Sequence, residues 1–465
     1  MKATERQLWW IAVILIALSR LPFIFYGYGS EEDAWALPLV TERIANTHHY
    51  EVSRLPGHPF QELAYTLIWD KGPVVYNLLT LIISTAGIGA FMLTLMHLRN
   101  KNWLFAGIAL AATPIVFINS TNDMDYMWAL SFMMISLYAI FRDRIALAGI
   151  FIGMAVGCRI TSGAIALPYL YLIYQLTKGD QRLKSALIFC ASIGISTFII
   201  FIPVLMNYGL SFFTYYEHFP IPGFAKNFYK GSIGAFGTIG FVVTIIYLLK
   251  ILQRRKIIHH AIDNHRKITA QLLMMCTAAI MLYLIAFIKL PLKSAFIIPL
   301  TPYIWMNAAI LLEKKEMRIA AVAMILSCFI LGINLADPLR GSSVSKWSIE
   351  KEIAGQKIAI DPVSGVFSAD ISKRVQRTTY AKAVLQQTDT IQSKTYIIAG
   401  WWLADILVLQ RGKENKNVVF GYYIEQDSLK NMKANNYQIY YLPQQEEFND
   451  LRFKGSFTKA YAKAL

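Results

Sequence analysis

The sequence predicts a polytopic α-helical membrane protein with a soluble α/β domain at its C-terminal end, and three observations predict it. Of the 465 residues, 55% are hydrophobic and 16% are charged, with a mean hydropathy of +0.42, too apolar a balance for a soluble protein of this length. Apolar runs able to cross roughly 30 Å of hydrocarbon recur from Leu8 to about Ala336. From Asp337 onward the pattern changes to short polar and apolar alternations. The chain therefore divides into a membrane body, 1–336, and a tail, 337–465.

Hydropathy places spans near 8–26, 72–96, 103–119, 126–141, 145–158, 163–176, 185–206, 232–249, 269–288, 295–312 and 319–335, or about eleven crossings. The fifth and sixth are shorter than the usual ~20 residues and read as a broken or tilted pair inside the bundle. Alternate connections carry eighteen Lys and Arg against eight on the opposite side, which puts the N-terminus in the cytoplasm and, after an odd number of spans, the tail outside. The first apolar stretch lacks a small-residue cleavage site and is expected to stay as an anchor. The net charge of +16 lies largely along the cytoplasmic rims, where anionic lipid attracts it, so membrane lipids rather than nucleic acid are the expected partners. Cys158, Cys190, Cys276 and Cys328 fall in or at the ends of apolar spans, as packing residues do.

Outside the membrane, residues 27–71 are too long for a simple turn. Trp35, Leu39, Ile44 and Tyr50 suit an amphipathic helix at the interface with a break at Pro38, and LPGHP leads into a second short helix. Residues 207–230 are rich in aromatics, the composition of an interface belt or of a substrate platform. In the tail, KIAID, TYIIAGWW, NVVFGYY and YQIYYLP read as strands and 373–387 and 428–435 as helices, with Ile358, Ile360, Ile397, Ile398, Val418, Phe420, Ile439 and Tyr441 as the core.

The chemistry concentrates at the outer ends of the spans. Ser30-Glu31-Glu32-Asp33 sets three carboxylates in a row, unnecessary for anchoring, although Ser30 or Asp33 also suits the cap of a helix starting at Ala34. The next outer loop carries Asp123 and Asp125 and no cation, and Asp123 also suits a cap. Carboxylates from two loops converging on one cleft serve as a general base, bind a divalent cation or orient sugar hydroxyls. Arg54, Lys71, Arg159, Lys230, Lys289 and Lys293 are outer-face cations able to hold an anionic group or to snorkel to headgroups. Arg20, inside the first span, must turn into the bundle or snorkel. His58 and the pair His48–His49 lack a spaced ligand set, so no metal site is assigned.

Glu31-Glu32-Asp33-Ala34-Trp35, the run Tyr50 to Pro59 with Gln61-Glu62-Leu63, the Asn122-Asp123-Met124-Asp125 loop, AGIFIGMAVGCRITSGAIALPYL and PLKSAFIIPLTPYIW resemble the GT-C glycosyltransferases through nearly the whole membrane body. That superfamily includes protein O-mannosyltransferases, lipid A aminoarabinose transferases and the RgtA/B/C/D-like branch. The resemblance implies inverting transfer from an undecaprenyl-phosphate-type sugar to a lipid, glycan or protein acceptor at the periplasmic face of a bacterial inner membrane. It places the base within Glu31, Glu32 and Asp33, with Asp123 as its partner. His58, Asp125 and the cations Arg54, Lys71, Arg159, Lys230 and Lys293 are then the substrate-binding candidates, and no cofactor is required beyond a possible divalent cation. In this chain Glu31-Glu32 stands where the family usually begins with Asp, which moves the base toward Asp33. Lys293 replaces a frequent arginine and cannot grip phosphate bidentately. The alternative, a transporter or lipid-linked-sugar flippase, calls for charges at mid-membrane depth and paired discontinuous helices in related halves, neither of which is seen here.

Overall fold

The computed structural model describes residues 3–210, 223–253, 267–335, 345–353, 356–443, 445 and 463–465. Each apolar run forms helix except at the end of the last, 319–335, whose helix stops at Phe329 and whose residues Gly332–Leu335 are a strand. The first comprises α1 (Ala3–Leu18) and a 3-10 turn at Leu21–Phe23. Then come α4 (Pro73–His97), α5 (Trp103–Ala112), α6 (Pro114–Asn119), α7 (Tyr126–Phe141), α8 (Ile145–Cys158), α9 (Ala166–Leu176) and α10 (Gln181–Tyr208). The body ends with α11 (Phe224–Gly231), α12 (Ile233–Phe236), α13 (Thr238–Gln253), α14 (Lys267–Lys289), α15 (Thr301–Leu311) and α16 (Lys314–Phe329).

Among the described residues five helical segments are long and apolar enough to cross a membrane by themselves, or six if α11–α12 and α13, bent by 95°, count as one span. The other expected spans are shorter helices. The run 103–119 breaks at Thr113-Pro114, because proline brings no N–H and starts a helix more readily than it continues one. The short fifth and sixth runs are α8 and a 3-10 turn leading into α9, as expected of a broken pair. Most of the basic run 250–267 and the aromatic residues 211–222 lie outside the described residues.

Helices approach closely where side chains are small. Gly149, Gly153 and Gly157 form a stripe on α8 against α10, so tight that a Cβ on Gly153 would lie 1.9 Å from Ser196 Oγ. The opposite face of α10 exposes Leu183, Leu187, Ile195, Phe198 and Ile199, a surface suited only to lipid. Cys158, Cys276 and Cys328 are buried and unbridged, while Cys190 is exposed on α10.

Residues 27–71 carry α2 (Glu32–Thr47) and α3 (Pro59–Thr66). Contrary to expectation, α2 starts at Glu32 and runs unbroken through Pro38. Its apolar face, Trp35, Leu37, Val40 and Ile44, is buried under protein instead of lying on lipid. The cover is the tail helix α18 (Leu403–Gln410), with Arg411 donating to the Pro38 carbonyl at 2.8 Å and pairing with Glu42.

Among the described residues the C-terminal part contains two sheets, and the first draws its opening strand from Gly332–Leu335, inside the expected membrane body. β1 (Gly332–Leu335), β2 (Ile349–Ile353) and β3 (Gln356–Asp361) form an antiparallel sheet in the order β1-β3-β2 that holds Ile358 and Ile360 half-buried. β4 (Thr395–Ile398), β5 (Val418–Gly421), β6 (Gln438–Tyr441) and β7 (Lys463–Ala464) form a parallel sheet in the order β5-β4-β6-β7. Ile397, Ile398, Val418, Ile439 and Tyr441 are buried there. The helices α17 (Val366–Thr388) and α19 (Gln426–Ala434) cover the two predicted helical patterns. An aromatic cluster of Phe23, Phe117, Phe329 and Phe367, with ring centroids 4.5–6.0 Å apart, fastens α17 to the membrane body.

Candidate functional site

Four helix ends meet on the face that the tail covers. Glu31 occupies the N-cap position of α2, with Glu32 and Asp33 in its first turn, His58 and Asp125 occupy those of α3 and α7, and Arg159 follows the last residue of α8. Acids at helix N-termini and a cation at a C-terminus suit the peptide dipoles. Neither Glu31 nor Asp125 makes a side-chain bond to its own helix, so these carboxylates cap nothing and turn to cations from elsewhere. The capping roles expected for Ser30, Asp33 and Asp123 are not seen either, since the N-caps are Glu31 and Asp125.

Lys293, ahead of the 3-10 turn Ser294–Leu300, donates to Glu31 Oε2 and Asp33 Oδ2 at 2.5 Å each. Arg54 Nη1 lies 3.4 Å from Asp33 Oδ2, and its Nη2 donates to Asp125 Oδ1. The other Asp125 oxygen accepts from Arg159 Nη1 at 3.0 Å. Arg159 is held between the rings of Tyr126 and Phe296, 4.5 Å from each centroid. Asp125 is only 1% exposed, whereas Asp33 and Lys293 are each 30% exposed, so the network runs from a buried anchor to an open edge.

Burial alone would raise both acids. Lys293 and Arg54 outweigh it at Asp33, and the cations around Asp125 do so there, so both are held below the usual carboxylate range. Against its own burial, Lys293 is raised by Asp33 and Glu31 and stays charged. Glu32 behaves oppositely: burial pushes it up to about 8 despite Arg377, with Asp33 adding to the rise. His58 is lowered by burial and by Arg54, and its Nδ1 donates to the Cys158 carbonyl at 2.5 Å. That leaves Nε2 as a bare acceptor, buried and without a protein partner.

Other expected residues lie elsewhere. Asp123 is 0% exposed, neither of its oxygens is hydrogen-bonded, and burial raises it well above the usual range, so it stands apart from the ion-paired cluster. Lys71, 57% exposed, pairs with its neighbour Asp70 at 2.8 Å, a surface pair apart from the cluster. Lys230 donates to the Leu292 carbonyl and so supports the strand of chain that presents Lys293. Among the described residues no group of three or more His, Cys, Asp or Glu is arranged to hold a metal ion.

Sequence reasoning missed two parts of the site. Glu62 is fully buried and accepts from Tyr50 Oη at 2.5 Å, Ser53 N at 2.7 Å, Ser53 Oγ at 2.6 Å and His58 N at 3.1 Å, which fixes the loop bearing Arg54 and His58. Its signals were an acid in the otherwise neutral run PFQELAYT and the place of Gln61-Glu62-Leu63 in the family resemblance, which gave it no role. The second part comes from the tail. Asp370 accepts from Ser30 Oγ at 2.5 Å and from Arg374 Nε at 2.7 Å, and Arg374 also donates to the carbonyls of Thr121 (2.7 Å) and Ile118 (3.1 Å). A buried Arg377–Asp405 pair stands close enough to Glu32 to act on its charge.

No protein-family model and no curated protein sequence matches the chain. Two solved structures do. One is ArnT from Cupriavidus metallidurans bound to undecaprenyl phosphate, at 13% identity and a TM-score of 0.54 over 90% of each chain. The other is the apo state of the same protein, at 11% identity and a TM-score of 0.55 over 87% of this chain and 85% of that one. Similarity of that extent at such low identity is one of fold: the chain is a multi-pass helical membrane protein that shares the fold of ArnT, with small sheets in its C-terminal part.

Proposed function

We propose that this protein is an inverting glycosyltransferase that moves a sugar from a polyprenyl-phosphate donor to a lipid, glycan or protein acceptor. The proposed location is the periplasmic face of a bacterial inner membrane, with the N-terminus cytoplasmic and residues 337–465 as a periplasmic domain. The reading is carried by one observation: the half-exposed carboxylate Asp33 sits between two cations, Lys293 and Arg54, at the open edge of a buried charge network. A fold shared with a protein crystallised with undecaprenyl phosphate supports it.

In this reaction the acceptor hydroxyl oxygen attacks the anomeric carbon from the face opposite the phosphate. The new C–O bond forms as the bond to the phosphate oxygen breaks, its electron pair leaves with the polyprenyl phosphate, and the hydroxyl proton passes to Asp33. Held by Lys293 and Arg54, Asp33 is a weak base. The donor phosphate competes for those cations, and drawing them toward the leaving oxygen raises the proton affinity of Asp33 at the moment it is needed. Arg159, fixed between two rings, adds positive charge, and His58 Nε2 is an acceptor for a sugar hydroxyl. Glu32, neutral at pH 7, is not the base.

Asp33→Asn is expected to lower transfer roughly 100-fold or more, with membrane insertion intact, when purified protein in vesicles is supplied with polyprenyl-phosphate sugars extracted from its own host. Deletion of the gene should make one such lipid accumulate, which identifies the sugar. Full transfer by Asp33→Asn, Glu31→Gln and Glu32→Gln alike excludes the first-loop acids as base and with them this mechanism.

A further inference from the structure

The lipid-facing surface carries a groove that the transferase reading leaves unused. A cavity of about 400 Å³ lies between α1, α5 and α16, lined along its length by Leu8, Ile11, Leu15, Leu104, Ile108 and Ile325. Arg20, Phe117 and Phe329 line it where the three helices end. Apart from Ser19 and Arg20 its lining is apolar or a cysteine, and none of it belongs to the Asp33–Lys293–Arg54–Asp125 network.

Arg20 is 2% exposed, and among the described residues no carboxylate pairs with it. Its hydrogen bonds go only to neutral oxygens. Nε donates to Ser120 Oγ at 3.0 Å, Nη1 to the Ile16 carbonyl at 2.9 Å and to Ser19 Oγ at 2.8 Å, and Nη2 to the Ala111 carbonyl. Those bonds occupy four of the five guanidinium N–H groups. The guanidinium stacks on Phe117, 4.2 Å from the ring centroid. Carbonyls at the C-terminal ends of α1 and α5 supply partial negative charge, but a buried cation in an apolar wall still calls for an anion.

We propose that the groove is the seat of one anionic membrane phospholipid, with an acyl chain along α1, α5 and α16 and the phosphate on the free side of the Arg20 guanidinium. The apolar lining suits a chain and excludes a soluble phosphate, and the unpaired charge at the groove's end requires an anionic headgroup. Through Ser120, Arg20 is bonded to the segment that carries Asp123 and Asp125, so the lipid steadies the second acidic loop from its membrane side.

Native mass spectrometry of the full-length protein, purified in neutral detergent and offered phosphatidylglycerol, phosphatidylcholine or polyprenyl phosphate, tests this. One phosphatidylglycerol is expected to be retained, favoured over phosphatidylcholine by roughly tenfold, because both offer a phosphate to Arg20 but choline brings a second cation beside the guanidinium. Arg20→Gln should abolish the preference. Ile108→Trp, which keeps Arg20 and fills the groove, should abolish retention, so the proposal is tested even if Arg20→Gln does not fold. It is overturned if the wild type shows no anionic preference, if Ile108→Trp retains phosphatidylglycerol with the wild-type preference, or if polyprenyl phosphate displaces phosphatidylglycerol, which assigns the groove to the carrier.

Discussion

Asp123 and Asp125 lie two residues apart, yet only Asp125 meets cations. The reason is local: Asp125 is the N-cap of α7, where its side chain reaches Arg54 and Arg159, whereas Asp123 faces inward and its backbone carbonyl accepts from Gln61 at 2.8 Å. Asp125→Asn removes the carboxylate that Arg54 and Arg159 share, with Asp33 still 3.4 Å from Arg54, and should cost roughly 3–5 kcal/mol of stability as well as most of the transfer. Asp123→Asn removes no ion pair or side-chain hydrogen bond and keeps the shape of the side chain, and should change stability by about 1 kcal/mol or less. Denaturant unfolding of both variants in detergent distinguishes them, and equal losses contradict the assignment. Both acids were visible in the sequence. Which one enters the site was not, because that depends on the residue at which α7 starts. Glu32 gives a pH test of the same environment. Its folded value of about 8 against the usual 4.5 means that the folded protein keeps a proton the unfolded chain releases. That contribution is complete below pH 4.5 and is lost as the pH rises toward 8. Glu32→Gln cannot lose this proton, so its melting temperature should fall less than that of the wild type between pH 5 and pH 8. Parallel curves would mean that Glu32 is solvated in the folded state.

At the scale of elements, the sequence spoke clearly where one physical demand dominates. Long apolar runs have to be helices in lipid, since hydrocarbon leaves backbone groups no other partner, and α4, α10 and α14 appear as expected. It was less legible where demands compete. Pro38 reads as a helix breaker, but α2 continues through it because its buried face packs under α18, a tertiary gain that local propensity does not register. The glycines of α8 are a further case. Their spacing is visible in the sequence, but what it admits, the backbone of α10, is not. A Cβ on Gly153 meets Ser196 Oγ at 1.9 Å and Ser196 Cβ at 2.7 Å, while Gly194 on α10 meets nothing within 4 Å. Gly153→Ala should therefore destabilise by roughly 1–3 kcal/mol and, because Arg159 follows α8 directly, weaken transfer. Gly194→Ala should stabilise by up to about 1 kcal/mol through helix propensity. Thermal unfolding in one detergent compares them, and a shared sign would show that α8 and α10 are not in close contact.

For the molecule as a whole, the question is what the tail does to the site. Its sequence carries no cysteine and no glycine-rich phosphate loop, so no signature of chemistry of its own is legible there. Its α17 nevertheless joins both acidic loops at once: Asp370 accepts from Ser30, next to Glu31, and Arg374 donates to the carbonyls of Ile118 and Thr121, beside Asp123 and Asp125. Two loops that arise from different spans are thereby held at a fixed separation, and a carboxylate misplaced by 1 Å can lose about 100-fold in rate. Under the proposed function the tail would position the first-loop base and cover the acceptor, whereas a domain that only packs on the loops would stabilise them without affecting turnover. Arg374→Ala separates the two roles more cleanly than truncation after Leu335, because the Phe23, Phe117, Phe329 and Phe367 cluster keeps α17 docked. The expected result is transfer reduced by roughly tenfold or more, with binding of polyprenyl phosphate unchanged and the loop 27–71 opened to protease. Wild-type turnover with only a lowered melting temperature would reduce the tail to a stabilising module, and loss of lipid binding together with transfer would mean that Arg374 supports the donor site as well.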